Sequence, residues 1–318
     1  MLPNRAAVEG VAEQMHLAEV KGRSLWADAR TRFFRNKAAS FSLVVLILIG
    51  LFAIFGGLIS KYDGETVDFT LIGSNAYKGV PSIETGHYFG TDASGRDLYA
   101  RVVQGTRISL MVGIVGALVA VVVGTLYGAI AGYFGGRIDG FMMRIVDILM
   151  SIPFMFVLIL LFVFVQNSPA LRGIENIDII GLFVGIGLIS WLDMARIARG
   201  QTLTIKNKEF VEVAVATGVK PLTIILRHIV PNLLGIVIVY ATLLVPSMII
   251  FESFISFLGL GVQEPNTSLG ALIDEGASNM QNRVLWQFYF PLFFFVVTIF
   301  AFFFVGDGLR DALDPKDR

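Results

Sequence analysis

Two short segments carry polar and small residues at spacings that invite a chemical reading. One is GTDASGRDLYAR, with Gly90, Thr91, Asp92, Gly95, Arg96, Asp97 and Arg101. The other is EVAVATGVKP, preceded by Glu209 and Phe210 and holding Glu212, Ala214, Gly218 and Pro221. Neither contains a nucleophile with a base, nor a carboxylate pair spaced for acid–base work. The chain has no Cys, which excludes disulfides and thiolate chemistry, and its three His (His16, His87, His228) are too far apart to suggest a metal cluster. No G-x-x-x-x-G-K-[ST] stretch occurs, and GLG at 259–261 and GDG at 306–308 are too short for a nucleotide fingerprint. The acids inside apolar surroundings are Asp147, Asp193 and Glu252, each near the end of an apolar run, whereas ion-coupled carriers place such groups near the bilayer midplane. Glu252 is the leading candidate for a functional acid, against a plainer role in hydrogen bonding between helices. If the chain moves a solute, the energy must come from another chain.

The elements that position these segments are membrane helices. Of 318 residues, 55% are hydrophobic and only 16% charged, and the mean hydropathy is +0.73; soluble domains are nearer a quarter charged. Runs long enough to cross about 30 Å of hydrocarbon lie at 38–60, 108–136, 148–171, 229–251 and 284–305. A sixth, 179–192, is fenced by Asp178 and Asp193 and is expected to continue through WLDMARIARG, with Trp191 at the interface. The polar leader, 1–37, makes the first run an uncleaved anchor rather than a cleaved signal. Lys and Arg number 18 in the leader, the second and fourth connections and the tail, against 7 in the others. The excess predicts that both termini and EVAVATGVKP are cytoplasmic, and that the connection 61–107 is outside.

Gly116, Ala120, Gly124, Gly128 and Gly132 recur every four residues, followed by Gly135 and Gly136. Such a stripe admits a close neighbour, either another helix of this chain or a second membrane subunit. In the outer connection, Ser94 followed by Asp97 reads as a capping box opening a helix near Gly95, with Leu98, Val102 and Val103 on one side. The spacing alone fits a capped surface helix, or a lid that meets an extracytoplasmic partner or lines a gate. In the cytoplasmic connection, 197–228, Asn207 is the expected N-cap, 208–217 the helix, Gly218 its left-handed terminus and Pro221 the start of the next helix. Lys208, Glu209 and Glu212 share one narrow sector of that helix, and Phe210, Val211, Val213, Ala214 and Val215 fill most of the rest. So apolar a helix requires a cover, either its own bundle or a cytosolic partner.

The second segment resembles the EAA motif of binding-protein-dependent ABC importer permeases: Glu212-Val213-Ala214, then Gly218, then His228-Ile229-Val230-Pro231. Val213, His228 and Val230 depart from the general pattern. RHIVPN, GTDASGRDLYAR, ESFISFLGLGVQEP (252–265) and GDGLRDALDPK (306–316) are similar to the peptide-importer branch, and GRSLWADARTRFFRNKAA to its C-type subunits in the OppBC permease family. The resemblance runs from about position 22 to the end. It implies an all-α, type I importer permease fold in a bacterial inner membrane, with a permease domain at 108–305 and a tail at 306–318. It also implies a second, B-type permease, two cytoplasmic ATPases that bind ATP and Mg, a periplasmic peptide-binding protein, a peptide substrate and no nucleic acid partner. The chain itself would be no enzyme and hold no cofactor. EVAVATGVKP would be the coupling helix seated in an ATPase cleft. A dipeptide, nickel or sugar importer, a peptide exporter, a stand-alone secondary carrier and a membrane-bound enzyme are the competing readings.

Overall fold

The computed structural model describes residues 25–71, 79–171, 173–174, 177–282 and 284–313. Arg5, Lys21, Arg23, Lys78, Arg172, Arg283, Lys316 and Arg318 of the charge count, His16, and the end of the tail lie outside the described residues, as does the side chain of Asp178. The described residues form ten α-helices, two single 3-10 turns (Gly56–Leu58 and Met280–Asn282) and no strand, only two isolated bridges, Val67 with Arg96 and Thr91 with Asp97. In chain order they are α1 (Leu25–Arg35), α2 (Lys37–Phe55), α3 (Leu98–Phe134), α4 (Gly136–Ser151), α5 (Phe154–Asn167), α6 (Ile177–Ile205), α7 (Glu209–Ala216), α8 (Pro221–Phe257), α9 (Leu269–Asn279) and α10 (Trp286–Leu313). α3 and α8 each contain one π-helical turn, at Ala120–Gly124 and Ile225–Ile229.

Five helices are long and apolar enough to span a bilayer, in Lys37–Leu58, α3, Ile179–Ile205, α8 and α10. The single run expected at 148–171 is instead broken. Ile152 is extended ahead of Pro153, as a residue preceding proline prefers, and α4 and α5 meet there at 74°. α4 with α5 makes a sixth span only if this bent pair counts as one.

The glycine stripe fixes the direction of every central helix. A Cβ on Gly116 would lie 2.8 Å from Ile186, on Gly124 2.6 Å from the Trp191 carbonyl, on Gly128 2.2 Å from the Ala195 carbonyl and on Gly132 2.8 Å from Thr202. α3 and α6 therefore run parallel with their backbones nearly touching. Beside it, Ser109 of α3 bonds Glu252 and Gly113 meets Val245 and Ile249, so α8 runs back antiparallel. The stripe thus packs against helices of its own chain. Gly135, with φ of 66°, ends α3 and turns the chain into α4.

This order puts Leu98 at one end of α3 and α7 at the other. The 37 residues of α3, about 55 Å of helix, outreach a hydrocarbon core of about 30 Å and carry their far end beyond it. α2 and α10 complete the bundle. Gly308 of α10 meets Ala39 and Phe33, and Phe52 of α2 stacks on Phe294 at 4.4 Å, so these two helices are antiparallel. α1 and the end of α10 accordingly lie on the same face of the bundle as α7.

Gly128→Ala is expected to force α3 from α6 and lower stability by about 1–3 kcal/mol. Gly140→Ala, in α4 with nothing within 4 Å of the added carbon, should instead be neutral or stabilise by up to about 1 kcal/mol. Thermal denaturation of the two purified variants distinguishes them.

Candidate functional site

Two sites stand at opposite ends of the bundle. At the α7 end, helix α6 stops at Ile205 and a short turn delivers α7. Lys208 is the N-cap and its side chain makes no cap bond; Asn207 lies one residue earlier and its amide donates to the Leu203 carbonyl at 3.3 Å, closing α6 instead. The expected Asn207 cap is thereby corrected, and the helix is Glu209–Ala216 rather than 208–217. Glu209 and Glu212 lie in its first turn, where their charge complements the exposed N–H groups. Gly218 takes φ of 78°, and its N–H donates to the Val215 carbonyl at 3.0 Å. Val219 N–H donates to the Ala214 carbonyl at 3.1 Å, which completes a Schellman terminus. Pro221 occupies the first turn of α8, as its fixed φ and missing N–H favour.

Val211 and Ala214 are buried against Ile205, Ile224 and Ile225. The bundle thus covers one side of α7 only. Phe210 is 40% exposed, Val213 61% and Val215 54%, and Leu222 and Leu226 of α8 are exposed beside them. Several basic residues near this end are already used. Arg199 donates twice to Asp139 at 2.6 Å, Arg196 donates to Asp147 at 2.6 Å, and Lys206 donates to the Gly132 carbonyl at 2.9 Å.

At the other end, GTDASGRDLYAR folds into a tight loop followed by α3. The cap of α3 is Asp97, whose carboxylate accepts the Ala100 N–H at 2.8 Å. Ser94 does not cap it; its N–H donates to Asp92 at 2.8 Å. The helix therefore opens at Leu98, not near Gly95, and continues into the second span rather than forming a separate surface helix. Leu98, Val102 and Val103 are buried on one side, as their spacing requires. Gly90 and Gly95 both take positive φ, and a Cβ on Gly90 would strike the Gly79 carbonyl and the Trp286 indole. The Thr91 carbonyl accepts bonds from Trp286 at 3.1 Å and Gln287 at 2.8 Å. Asp97 accepts from or pairs with His87 Nδ1 at 2.8 Å, and the His87 ring stacks on Tyr62.

Asp92 is the centre of this end. Its carboxylate accepts the Arg96 N–H at 2.9 Å, Arg96 Nε at 2.7 Å and Arg101 Nη1. Arg96 then donates to Glu264 at 2.7 Å, and Arg101 to Glu275 of α9 at 2.8 Å. Asp92 and Arg101 side chains are 1% and 3% exposed, so this is a buried network, and Glu264, at 66%, is its wet edge. Burial alone would lower the Arg96 pKa, but bonds to Glu264 and Asp92 more than offset this and hold it above the ordinary range. Glu264 is drawn below its ordinary 4.5 by the Arg96 hydrogen bond. Glu275 is raised above 4.5, because burial outweighs the attraction of Arg101.

Next to this network, Glu252 of α8 is fully buried. It accepts hydrogen bonds from Ser109 of α3 at 3.0 Å and Ser256 at 2.7 Å. Ser109 Oγ in turn accepts the Leu269 N–H at 3.2 Å, and Ser268 caps α9 through the Ala271 N–H. Glu252 thus ties α3, α8 and α9 into one corner, which is the helix-to-helix role. Nothing in the sequence marks Glu264, Glu275 or the serine cage as a site. Arg96 and Arg101 in an apolar chain announce a need for acids, but their partners lie 168 and 174 residues away, and spacing cannot select them.

The pH dependence of this end has two limbs. Glu264, with a lowered pKa, contributes stability present above 4.5 and lost as pH falls through its folded value. Glu275, with a raised pKa, contributes stability full below 4.5 and lost as pH rises through its folded value. Melting temperature against pH should therefore lose its high-pH decline in Glu275→Gln and part of its acid decline in Glu264→Gln. At neutral pH Arg101→Gln should cost about 3–5 kcal/mol, because it leaves buried carboxylates unpaired, whereas Glu264→Gln should cost no more than about 1 kcal/mol.

The model for "Binding-protein-dependent transport system inner membrane component" matches residues 124–318, and that for the "N-terminal TM domain of oligopeptide transport permease C" matches 24–76. The chain is 55% identical over 315 residues to the oligopeptide transport system permease protein OppC of Escherichia coli K12, covering 99% of this chain and 98% of that protein. It is 40% identical over 318 residues to OppC of Bacillus subtilis, covering 100% and 97%. With the dipeptide transport system permease protein DppC of Bacillus subtilis it shares 42% identity over 291 residues, covering 92% and 86%. A helical bundle with five or six spans, a glycine-terminated helix at one end and a sealed ionic network at the other, together with full-length likeness of this degree, means that the chain belongs to the inner membrane components of binding-protein-dependent transport systems.

Proposed function

We propose that this chain is the C-type permease of an ATP-driven oligopeptide importer, forming the translocation path with a second permease. The observation that carries the coupling role is the half-covered α7. Val211 and Ala214 anchor it to the bundle, while Phe210, Val213 and Val215 stay exposed on a helix ended by a left-handed glycine. The uncovered side suits a cleft in a cytosolic ATPase. Full-length likeness to oligopeptide permeases supports the peptide as cargo.

In this reading two ATPases bind ATP and Mg and draw together, and each pulls on a docked helix. α7 passes the displacement to α6 and α8, which leave and re-enter the bundle on either side of it. Because these helices are packed backbone to backbone against α3, the bundle shifts between discrete arrangements. The path opens outward to a periplasmic peptide-binding protein, and hydrolysis resets it inward. ATP drives the cycle only through a difference in its affinity for the two arrangements. The termini and α7 face the cytoplasm, as the distribution of Lys and Arg supports, and the Asp92 network faces the periplasm. The membrane is the bacterial inner membrane.

A Cβ at position 218 would have nothing within 4 Å, so a substitution there acts through backbone conformation alone. Gly218→Val should abolish or severely reduce peptide uptake while leaving insertion intact, because a β-branched residue resists positive φ. Gly218→Asn, which tolerates that conformation, should retain most uptake. Wild-type uptake in the Val variant would overturn the coupling role. Purification from native membranes should bring two P-loop ATPases and a second permease; a chain that purifies alone and transports would refute the whole reading.

A further inference from the structure

The geometry points to α4 as an in-plane anchor that lies in the headgroup layer of the bilayer and binds anionic phospholipid. The helix runs across the bundle. Asp139 pairs with Arg199 and Asp147 with Arg196, so an advance of about 12 Å along α4 matches only about 4.5 Å along α6. α5, which runs alongside the first half of α6 through Leu158 and Val165, is bent 74° from α4. Both relations incline α4 steeply to α6 and to the spanning part of α5.

Its depth is that of a membrane interface. Asp193 and Arg196 of α6 line a cavity together with Leu243 of α8. Leu243 packs on Gly306 of α10, and Gly308, two residues on, packs on Ala39, just inside the charged start of the first span. α4 crosses α6 at this same level, beside Arg196 and Arg199. Its Met142 carbonyl accepts a bond from Tyr127 of α3 at 2.8 Å, which holds it there.

Its faces divide into three. At 100° per residue, Asp139, Met143, Val146 and Met150 share the sector against α6, where Asp139 and Val146 are buried. Ile138, Phe141, Ile145, Ile148 and Leu149 share another sector about 100° wide, and it is uncovered: Phe141 is 70% exposed and Ile148 56%. Arg137 and Arg144 lie between, exposed and in no ion pair among the described residues. The apolar sector leads past Ile152 into the exposed Phe156 and Leu160 of the spanning helix α5, so it continues the surface that already faces acyl chains. Apolar residues flanked by Arg at headgroup depth fit anionic lipid, the side chains dipping into the acyl boundary and the guanidinium groups meeting phosphates.

The test uses the absence of Cys from the chain. In the assembled transporter, Phe141→Cys, Ile145→Cys and Gly140→Cys, each carrying a nitroxide, are placed in vesicles of phosphatidylcholine with a minority of phosphatidylglycerol. The ratio of accessibility to oxygen over a water-soluble nickel chelate should be several-fold higher at 141 and 145 than at 140. Protection from both reagents at 141 and 145 would mean a protein covers the face and would overturn the proposal, as would preferential access to nickel. Replacing phosphatidylglycerol by phosphatidylcholine should lower the ratio at 141, and Arg137→Gln with Arg144→Gln should remove that dependence. A ratio that ignores lipid charge in the unsubstituted chain would overturn the anionic-lipid part.

Discussion

The structure depends on how closely α3 and α6 approach. Four glycines leave no room for a side chain, and at Gly128 the neighbouring carbonyl sits where a Cβ would be. In a membrane, apolar side chains gain little by leaving lipid for protein, so helices associate through close packing and polar contacts. The glycine stripe supplies the first over about four helical turns. It also sets the parallel course of α3 and α6, and α8, packed beside both on α3, returns antiparallel. Once those directions are fixed, both sites follow: the residues after α6 must lie at one end and those before α3 at the other.

The two ends are stabilised by different physics because they meet different demands. The Asp92 end is sealed by charge-assisted bonds that join a loop, a short helix and two spans. Three carboxylates face two guanidinium groups, and Glu275 is the acid whose burial outweighs the attraction of its arginines, so its pKa is raised. Glu252 extends the seal into the bundle with neutral serine donors, so removal of a single member leaves a polar atom stranded in apolar surroundings. The α7 end has no such network on its outer side. It is held from below by Val211 and Ala214 and terminated by backbone geometry, and its remaining apolar surface is uncovered.

How much of this was legible in the sequence follows from the range of each interaction. Gly218 and Pro221 were readable because helix termini are settled by a few adjacent residues. The stripe at Gly116 to Gly132 was readable as a close contact, but the identity of its neighbour was not, since small residues admit a helix from any source. The capping pattern misled at Ser94 and Asn207 for one reason. Each stands just ahead of a helix, yet Ser94 bonds into the Asp92 turn and Asn207 to the helix behind it. The break at Ile152 was hidden because an apolar run continues through it, although Pro153 was there to mark it. The acids that pair with Arg96 and Arg101 were invisible, since nothing local ties them to those arginines.

The same physics bears on how motion at α7 would be used in the proposed coupling role. A rigid helix transmits force only if its supports cannot absorb it. α7 has eight residues and one covered side, so its own packing energy is small. Its supports are not: Ile205, Ile224 and Ile225 belong to the largest buried cluster among the described residues, along with Ala120, Ala129, Met194 and Ala198 of the glycine-lined contact of α3 with α6. Force applied at Phe210 or Val213 therefore reaches the closest-packed part of the bundle within one layer of side chains. A close-packed interface with backbone carbonyls at the contact resists gradual compression, and slides or separates as a unit. The sealed Asp92 corner opposes splaying at the far end of α3. On the proposed coupling role, a tilt imposed at α7 would turn α3, α6 and α8 together about that corner rather than deform them singly.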